Sequence, residues 1–172
     1  EVTPSANKAI EADGLWTRSA EAALAVTVAD CVPLVFAHRG GLAVAAVHAG
    51  WRGTVANIAA EMVRRFKKVG FEPEELVVAM GPAIGPCCFE IGPEVMESIR
   101  NAFPEASSLV PGQSGKGYAD LWDLNRLALE GAGVPNGQID ILNRCTHCSS
   151  DFFSYRRDNG ATGRQCGIIA RV

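Results

Sequence analysis

Apolar residues in the first third of the chain form short runs that are separated by turn residues. Residues 23–29 (ALAVTVA), 34–37 (LVFA) and 42–47 (LAVAAV) have the length and composition of buried strands. Residues 38–41 (HRGG), between the second and third runs, have the composition of a tight turn. The pattern therefore predicts an antiparallel hairpin that is preceded by one further strand.

The hydrophobic period then changes to that of a helix. Apolar residues recur every three or four positions between residues 55 and 69, with Thr54 as a suitable N-cap and Gly70 as a suitable stop. A buried strand is predicted at residues 76–80. It is followed by a loop at residues 81–88, which contain too many Gly and Pro for regular structure.

The second half of the chain continues to mix helices and strands. Helices are predicted at residues 93–104 and 123–129, strands at 139–142 and 166–170, and a loop rich in Ser and Gly at 107–117. The mixture predicts an α/β (α+β mixed) fold with a mixed β-sheet. The hairpin excludes a purely parallel, doubly wound sheet.

Length and composition restrict the class of protein. A chain of 172 residues, with 48 % hydrophobic and 20 % charged residues, predicts one globular domain over residues 1–172. The net charge of -3 argues against nucleic acid as a partner, and no apolar run of about 18 residues predicts a membrane span. Residues 1–11 show no signal-peptide pattern and no initial Met, so we expect an N-terminally incomplete or processed chain. Six cysteines in such a chain are expected to be reduced, which favours the cytoplasm.

The predicted hairpin brings Cys31 close to His48. If residues 39 and 40 form a two-residue turn, Cys31 pairs with His48, and a three-residue turn shifts the partner of His48 to Val32. Directly paired residues have Cβ atoms about 4.5–5.5 Å apart on the same face of a sheet. Pro33 can introduce a bulge and change the pairing.

A thiol beside an imidazole permits more than one chemistry. Cys31 and His48 can be two ligands of zinc or copper, or a nucleophile and its base. They can also be an inert buried cysteine next to a structural histidine. Asp30 can orient a ring or act as an acid or base, and it can equally be a turn residue at a strand end.

The segment between the predicted strand and helix has features of a ligand loop. In residues 49–54 (AGWRGT), glycines such as Gly50 allow close approach of a ligand to the backbone, and Arg52 offers a guanidinium to phosphate or carboxylate. A tight turn with a surface arginine explains the same residues equally well. No Walker motif occurs in the chain.

Four further cysteines occur as a C-x-x-C pair, Cys145 and Cys148, and a vicinal pair, Cys87 and Cys88. C-x-x-C is typical of half a zinc site or of a redox motif. A structural zinc site needs a second pair, and adjacent cysteines have poor geometry for one, so a complete zinc site is not favoured.

Residues 152–158 (FFSYRRD) combine aromatic rings with two arginines. They can form a substrate wall with an anion clamp around Arg156. The alternative is a core strand with Phe153 and Tyr155 pointing inward and the arginines exposed.

Several short motifs, taken together, carry a family resemblance across nearly the whole chain. They are ADCVP at 29–33, VHAGWRG at 47–53, GPAIGPCCFE at 81–90, DLN at 123–125, FFSYRRD at 152–158 and TGR at 162–164. In this order they closely resemble the laccase-domain family, also called the multi-copper polyphenol oxidoreductase family. The resemblance implies a cysteine-hydrolase-like sandwich fold. It also implies activity as a purine nucleoside phosphorylase with adenosine deaminase activity.

The resemblance also implies a site. Cys31 and His48 inherit the roles of metal ligands, generally of zinc with copper as the alternative, and the remaining ligand is a histidine expected upstream of Glu1. The implied substrates are a purine nucleoside and phosphate. Phosphate would be held by Arg52 or Arg156 near Gly50. Asp30 or Glu90 would supply a proton, and metal-generated hydroxide would deaminate adenosine.

Other function classes compete with this interpretation. A copper-dependent polyphenol oxidase needs several His-rich copper sites, and the chain contains three histidines. A cysteine hydrolase would use Cys31 as nucleophile and His48 as base. A non-enzymatic redox or interaction protein would use exposed thiols.

Overall fold

Strands and helices are mixed along the chain and build a layered α/β structure. The computed structural model describes residues 1–3 and 11–171. The strands are β1 (Gly14–Thr17), β2 (Ala23–Val28), β3 (Val32–His38), β4 (Val44–Ala49), β5 (Leu76–Met80), β6 (Glu90–Ile91), β7 (Leu109–Pro111), β8 (Gly117–Ala119), β9 (Ile139–Ile141) and β10 (Gln165–Ala170). The helices are α1 (Trp51–Val55), α2 (Ile58–Lys68), α3 (Pro93–Ala102) and α4 (Leu121–Gly131).

A five-stranded mixed sheet forms the centre of the fold. Its strand order is β1-β4-β3-β5-β9, with β9 parallel to β5 and the other neighbours antiparallel. β2 and β10 form a separate antiparallel pair, and β6, β8 and β7 form a small three-stranded sheet. The predicted mixed α/β sandwich is confirmed.

Apolar side chains are buried on both faces of the central sheet. On one face, Leu34 and Phe36 of β3 join Met62 and Phe66 of α2 in the main core. On the other face, Val44 and Ala46 of β4 pack with Leu24 and Val26 of β2 in a second, smaller core. The central strands are therefore covered by helices on one side and by the β2–β10 pair on the other, as expected for strands that read as nearly continuous apolar runs.

The prediction of one continuous helix from residue 55 to residue 69 is wrong near its beginning, where the structure has two helices. Asn57 has a left-handed backbone, with φ 62°, and separates α1 from α2. Asn tolerates this conformation better than most residues, which explains why the helix breaks there. Thr54 is not an N-cap. It is buried inside α1, where its hydroxyl accepts a hydrogen bond of 2.9 Å from the side-chain amide of Asn125.

Two more segments differ from their predicted structures. The predicted loop at residues 107–117 contains β7 and leads into β8, so Ser and Gly there mark a hairpin connection between paired strands. Residues 152–158 form turns instead of a core strand, and the side chains of Phe153 and Tyr155 are exposed. The remaining predicted strands and helices are confirmed to within a few residues.

The N-terminal stretch examined for a signal peptide lies largely outside the described residues, which resume at Glu11. Within the described residues, no helix combines the length and apolar character needed to cross a bilayer.

Candidate functional site

A cleft of about 410 Å³ lies where the end of β2, the end of β4 and two loops meet. Its volume is within the range of small-molecule sites, which is about 300–1,000 Å³. Residues from four separate parts of the chain line it, among them Asp30, Cys31, His48, Phe89, Tyr155, Arg156 and Arg164. The fold thus collects four of the residues singled out in the sequence: Asp30, Cys31, His48 and Arg156.

Cys31 and His48 lie together, although the predicted strand register is wrong. His48 pairs with Pro33, because the hairpin connection is longer than two or three residues. The backbone N–H of His38 donates to the carbonyl of Ala43 at 3.0 Å, so residues 39–42 form the connection. The slip of two residues from the two-residue-turn register keeps Cys31 on the same face as His48, because side chains alternate with a period of two.

Gly50 allows the thiol and the imidazole to approach the backbone. A Cβ atom at this position would lie 2.9 Å from Cys31 Sγ and 3.8 Å from His48 Nε2. Real Cβ atoms do not approach to 2.9 Å, so a side chain here would displace the thiol. Both donor atoms therefore converge on the backbone immediately after β4.

Asp13 holds the ring of His48 from the opposite side. Asp13 Oδ1 lies 2.8 Å from His48 Nδ1, and the backbone N–H of His48 donates to the carbonyl of Asp13 at 2.7 Å. The interaction with Cys31, together with that with Asp13, raises the pKa of His48 to about 9, although partial burial opposes the shift. With Nδ1 directed to a carboxylate, Nε2 faces Cys31 and the cleft.

Sequence reasoning missed Asp13 because it missed β1. Residues 14–17 mix Gly, an aromatic ring and Thr, and show neither a period of two nor a long apolar run. Only the pairing of β1 with β4 brings the residue before β1 to His48.

Asp30 is a buried junction between loops. Its Oδ1 accepts a hydrogen bond of 2.6 Å from the hydroxyl of Thr146, and its Oδ2 accepts one of 2.7 Å from the backbone N–H of Arg156. Its backbone carbonyl accepts a hydrogen bond of 2.9 Å from the N–H of Ile84. Asp30 also has a positive φ of 86°, a conformation that non-glycine residues rarely adopt and that clusters at functional sites.

Arg156 forms one wall of the cleft. Its guanidinium donates to the carbonyl of Glu90 at 2.9 Å and lies 5.5 Å from the ring centroid of Phe89. The remaining donors of the fork are directed to no other protein acceptor among the described residues. Together with Arg164, it gives the cleft a positive side suited to an anion.

The side chains of Arg52 and Glu90 lie elsewhere. Arg52 stacks on the indole of Trp51, 4.4 Å from its centroid, and does not line the cleft. The carboxylate of Glu90 pairs with Lys116 at 2.7 Å, which holds the pKa of that carboxyl below its usual value. The structure therefore does not bring these two residues together with Cys31 and His48, and their roles stay predictions.

Comparison with known proteins establishes the family. The profile of the family described as "Multi-copper polyphenol oxidoreductase laccase" matches residues 1–172. The chain belongs to this laccase family. Because the match covers the whole chain, the resemblance found from the motifs is confirmed.

Curated relatives of this laccase-family chain have names that refer to purine nucleosides. The chain is 45 % identical over 163 residues to "Purine nucleoside phosphorylase YlmD" of Geobacillus stearothermophilus, with 92 % of this chain and 60 % of the relative covered. It is 39 % identical over 155 residues to "Adenosine deaminase RL5" of an unknown prokaryotic organism, with 88 % of this chain and 59 % of the relative covered. The chain thus spans about three fifths of the length of these relatives.

Solved structures of laccase-family proteins share the fold. The YlmD structure from Geobacillus stearothermophilus matches with a TM-score of 0.88 at 43 % identity, covering 92 % of this chain and 60 % of that one. The structure of the Bacillus licheniformis hypothetical protein YfiH also matches with a TM-score of 0.88. The identity is 39 %, and the match covers 93 % of this chain and 61 % of that one.

The laccase-family chain also contains a second cluster of potential ligands, which the sequence interpretation did not favour as a zinc site. The Sγ atoms of Cys87, Cys88, Cys145 and Cys148 all lie within 4.8 Å of one another. The expectation that the vicinal pair has poor geometry for joining the C-x-x-C pair is therefore wrong for this fold. The reason is that the loop after β5 turns back on itself, with the N–H groups of Cys88 and Phe89 both donating to the carbonyl of Gly85.

The four thiols have different protonation tendencies. Burial and the neighbouring Cys148 thiol raise the pKa of Cys87 to about 11, and the same causes raise the pKa of Cys88 further. Burial also acts to raise the pKa of Cys145, but hydrogen bonds from the backbone N–H groups of Gly85 and Cys148 outweigh it and lower the pKa to about 7. The cluster was detectable in the sequence only as two separate cysteine pairs.

Proposed function

We propose that the protein is a zinc-dependent purine nucleoside enzyme that cleaves nucleosides with phosphate and deaminates adenosine. The observation that carries this proposal is the cleft, in which a thiol–imidazole pair faces two arginines and two aromatic rings. The names of the relatives at 45 % and 39 % identity support the same chemistry.

Cys31 and His48 fit zinc by the nature of their donor atoms. Catalytic zinc is held by three protein ligands of the His, Cys and carboxylate type. Among residues 1–3 and 11–171, no third such side chain lies within ligand range of this pair. The family resemblance implies a histidine as the further ligand. Asp13, which holds Nδ1 of His48, has the position of the outer carboxylate that orients a metal-bound imidazole.

Side chains that line the cleft would bind and orient the phosphate and the purine. Arg156 and Arg164 would hold phosphate in the cleft, since a guanidinium fork matches phosphate oxygens. Phe89 and Tyr155 offer ring surfaces to the purine. Zinc, when bound, supplies a Lewis acid that activates water for deamination at neutral pH.

In phosphorolysis, a phosphate oxygen forms a bond to the anomeric carbon of the ribose. The bond between that carbon and the purine nitrogen breaks, and its electron pair leaves with the base, which takes up a proton. Asp30 acts in this scheme as a positioning residue, because both of its carboxylate oxygens already accept hydrogen bonds from Thr146 and Arg156.

The test is incubation of the purified, zinc-loaded protein with adenosine and inorganic phosphate, followed by chromatography. Adenine with ribose 1-phosphate reports phosphorolysis, and inosine reports deamination. We expect Arg156→Ala to raise the KM for phosphate about tenfold, the loss of one charge-assisted contact. Arg144→Ala is the matched control, since Arg144 is exposed, forms an ion pair with Asp151 and lies outside the set of residues that line the cleft.

A cysteine hydrolase is the second candidate, favoured by the convergence of the Cys31 thiol and the His48 ring beside Gly50. The two functions differ in what they require of the thiol. A metal ligand is protected from electrophiles, whereas a nucleophile is alkylated at neutral pH. Rapid labelling of Cys31 in protein that holds no zinc would contradict the proposed function, as would oxidation of phenols that depends on copper.

A further inference from the structure

We propose that Cys87, Cys88, Cys145 and Cys148 bind one structural zinc ion, separate from the Cys31–His48 pair. This cysteine cluster lies outside the set of residues that line the cleft, and the inference does not depend on the proposed function. The ligands come from two loops that are about 60 residues apart in the chain, one after β5 and one after β9.

The spacing of the sulfur atoms fits a single tetrahedral ion. Four sulfurs at the Zn–S distance of about 2.3 Å form a tetrahedron with edges of about 3.8 Å. The measured separations are 3.3 Å between Cys88 and Cys148, 3.6 Å between Cys87 and Cys148, and at most 4.8 Å for any pair. Tetrahedral four-sulfur sites favour zinc or iron–sulfur centres, and a cluster of several irons needs wider spacing than this.

Backbone contacts hold the two loops of the cluster together. Ala83 and Cys145 form a parallel bridge, and the N–H of Thr146 donates to the carbonyl of Ala83 at 2.9 Å. The N–H of Gly85 donates to Cys145 Sγ at 3.2 Å, a contact that stabilises the thiolate a metal requires. A Cβ atom on Gly85 would lie 3.3 Å from Cys145 Cβ and 3.4 Å from Cys87 Sγ, so glycine lets the two loops approach.

A cation on the far side of the cluster holds the C-x-x-C loop. The guanidinium of Arg157 donates to the carbonyls of Thr146 and Ser149 at 2.9 and 3.0 Å, and to the carbonyl of Phe152 at 2.9 Å. Ser149 and Thr146 flank Cys148 and Cys145, so the clamp acts on the metal-binding segment itself.

The zinc also connects to the cleft. Thr146, between the two cysteines of the C-x-x-C pair, donates its hydroxyl to Asp30 at 2.6 Å. Ile84, on the other loop, donates its N–H to the carbonyl of Asp30. An ion that joins the two loops therefore fixes two of the three hydrogen-bond partners of Asp30, the residue that precedes Cys31.

The experiment separates the two metal sites by mutation and spectroscopy. Cys31→Ser protein, purified with reductant and zinc, is analysed for metal content and by X-ray absorption at the zinc edge. We expect about one zinc per chain, with a shell of sulfur alone at about 2.3 Å. Cys148→Ser in the same background loses this zinc, and the matched control Cys166→Ser, an exposed thiol on β10, retains it.

Three outcomes would overturn the inference. One is Cys31→Ser protein that is free of zinc, and another is a shell that contains nitrogen or oxygen. The third is zinc content that is equal in the Cys148→Ser and Cys166→Ser variants. If Cys148→Ser fails to fold, the zinc coordination shell of the Cys31→Ser protein, measured by X-ray absorption, decides whether the four thiols bind zinc.

Discussion

The Cys31–His48 pair and the cysteine cluster bring their thiol and imidazole side chains together by different means. The cleft pair stands at the end of one sheet, where the register of β3 and β4 and the carboxylate of Asp13 fix it. The cluster stands between two loops that touch through one backbone bridge and a few hydrogen bonds. The sheet positions the cleft pair by its own hydrogen bonds, whereas the position of the cluster thiols depends on contacts between the two loops.

Asp30 joins these two regions, which gives the comparison a direct test. It precedes Cys31 in the chain, and it receives hydrogen bonds from a residue of each cluster loop, Ile84 and Thr146. A substitution at Asp30 should therefore affect both the cleft pair and the cysteine cluster. Substitutions at Gly50 or Asp13 should affect only the cleft pair.

Asp30→Asn is expected to have the largest effect. Asn tolerates the positive φ, so the change isolates the side chain. The Asn oxygen can still accept from the backbone N–H of Arg156, but its NH2 group then replaces the oxygen that accepts from the hydroxyl of Thr146, and neither hydrogen bond is charge-assisted any longer. We expect a loss of about 2–3 kcal/mol in unfolding free energy. Urea unfolding measures this loss, and zinc content and nucleoside turnover should fall with it.

The control for Asp30→Asn is Asp140→Asn, which removes an exposed carboxylate from β9. It should change the unfolding free energy by less than about 0.5 kcal/mol. If Asp30→Asn affects turnover but leaves the cluster zinc and the stability unchanged, the two regions are not joined through this residue.

The sequence predicted the sheet better than the loops, for a physical reason. Burial of successive strands and of one helix face leaves a repeating signal, and β2, β5 and α3 were found within one or two residues. The break at Asn57 leaves no such signal, since the apolar period continues across it. The β7–β8 hairpin was hidden because its connection is rich in Ser and Gly.

Site residues were predicted where the strands that carry them were predicted, and were missed where their positions depend on loops or on an unpredicted strand. Cys31 and His48 were found together because an error of two residues in register preserves the face. The cysteine cluster was not found, because its geometry depends on the bridge between Ala83 and Cys145, which no local pattern encodes. Asp13 was not found because it depends on an unpredicted strand.

Gly50→Ala is expected to disturb the cleft pair alone. The backbone of Gly50, with φ -73°, suits alanine, but the new Cβ atom would lie 2.9 Å from Cys31 Sγ. We expect a loss of about 1–3 kcal/mol in unfolding free energy, the usual cost of overpacking. Nucleoside turnover should fall, and the zinc of the cysteine cluster should remain, as metal analysis would show.

Gly53→Ala is the matched control, because its nearest contact would be 3.4 Å and alanine favours the helix. The double variant Gly50→Ala with Cys31→Ala supplies a second check. Removal of the thiol should abolish the cost of the new methyl group. If the cost persists without the thiol, Gly50 is required for a reason other than the approach of Cys31.

Asp13→Asn is expected to have the smallest effect and to separate the two regions most sharply. The carboxylate is exposed and touches only the outer nitrogen of His48, so the fold should tolerate its loss. Removal of an outer carboxylate commonly weakens metal binding by 10–100-fold, and we expect about tenfold here because solvent can replace it. Competition with a chelator measures the affinity of each site, with the cysteine cluster as the internal reference. Equal weakening at both sites would mean that the sheet does not hold its ligands independently of the loops.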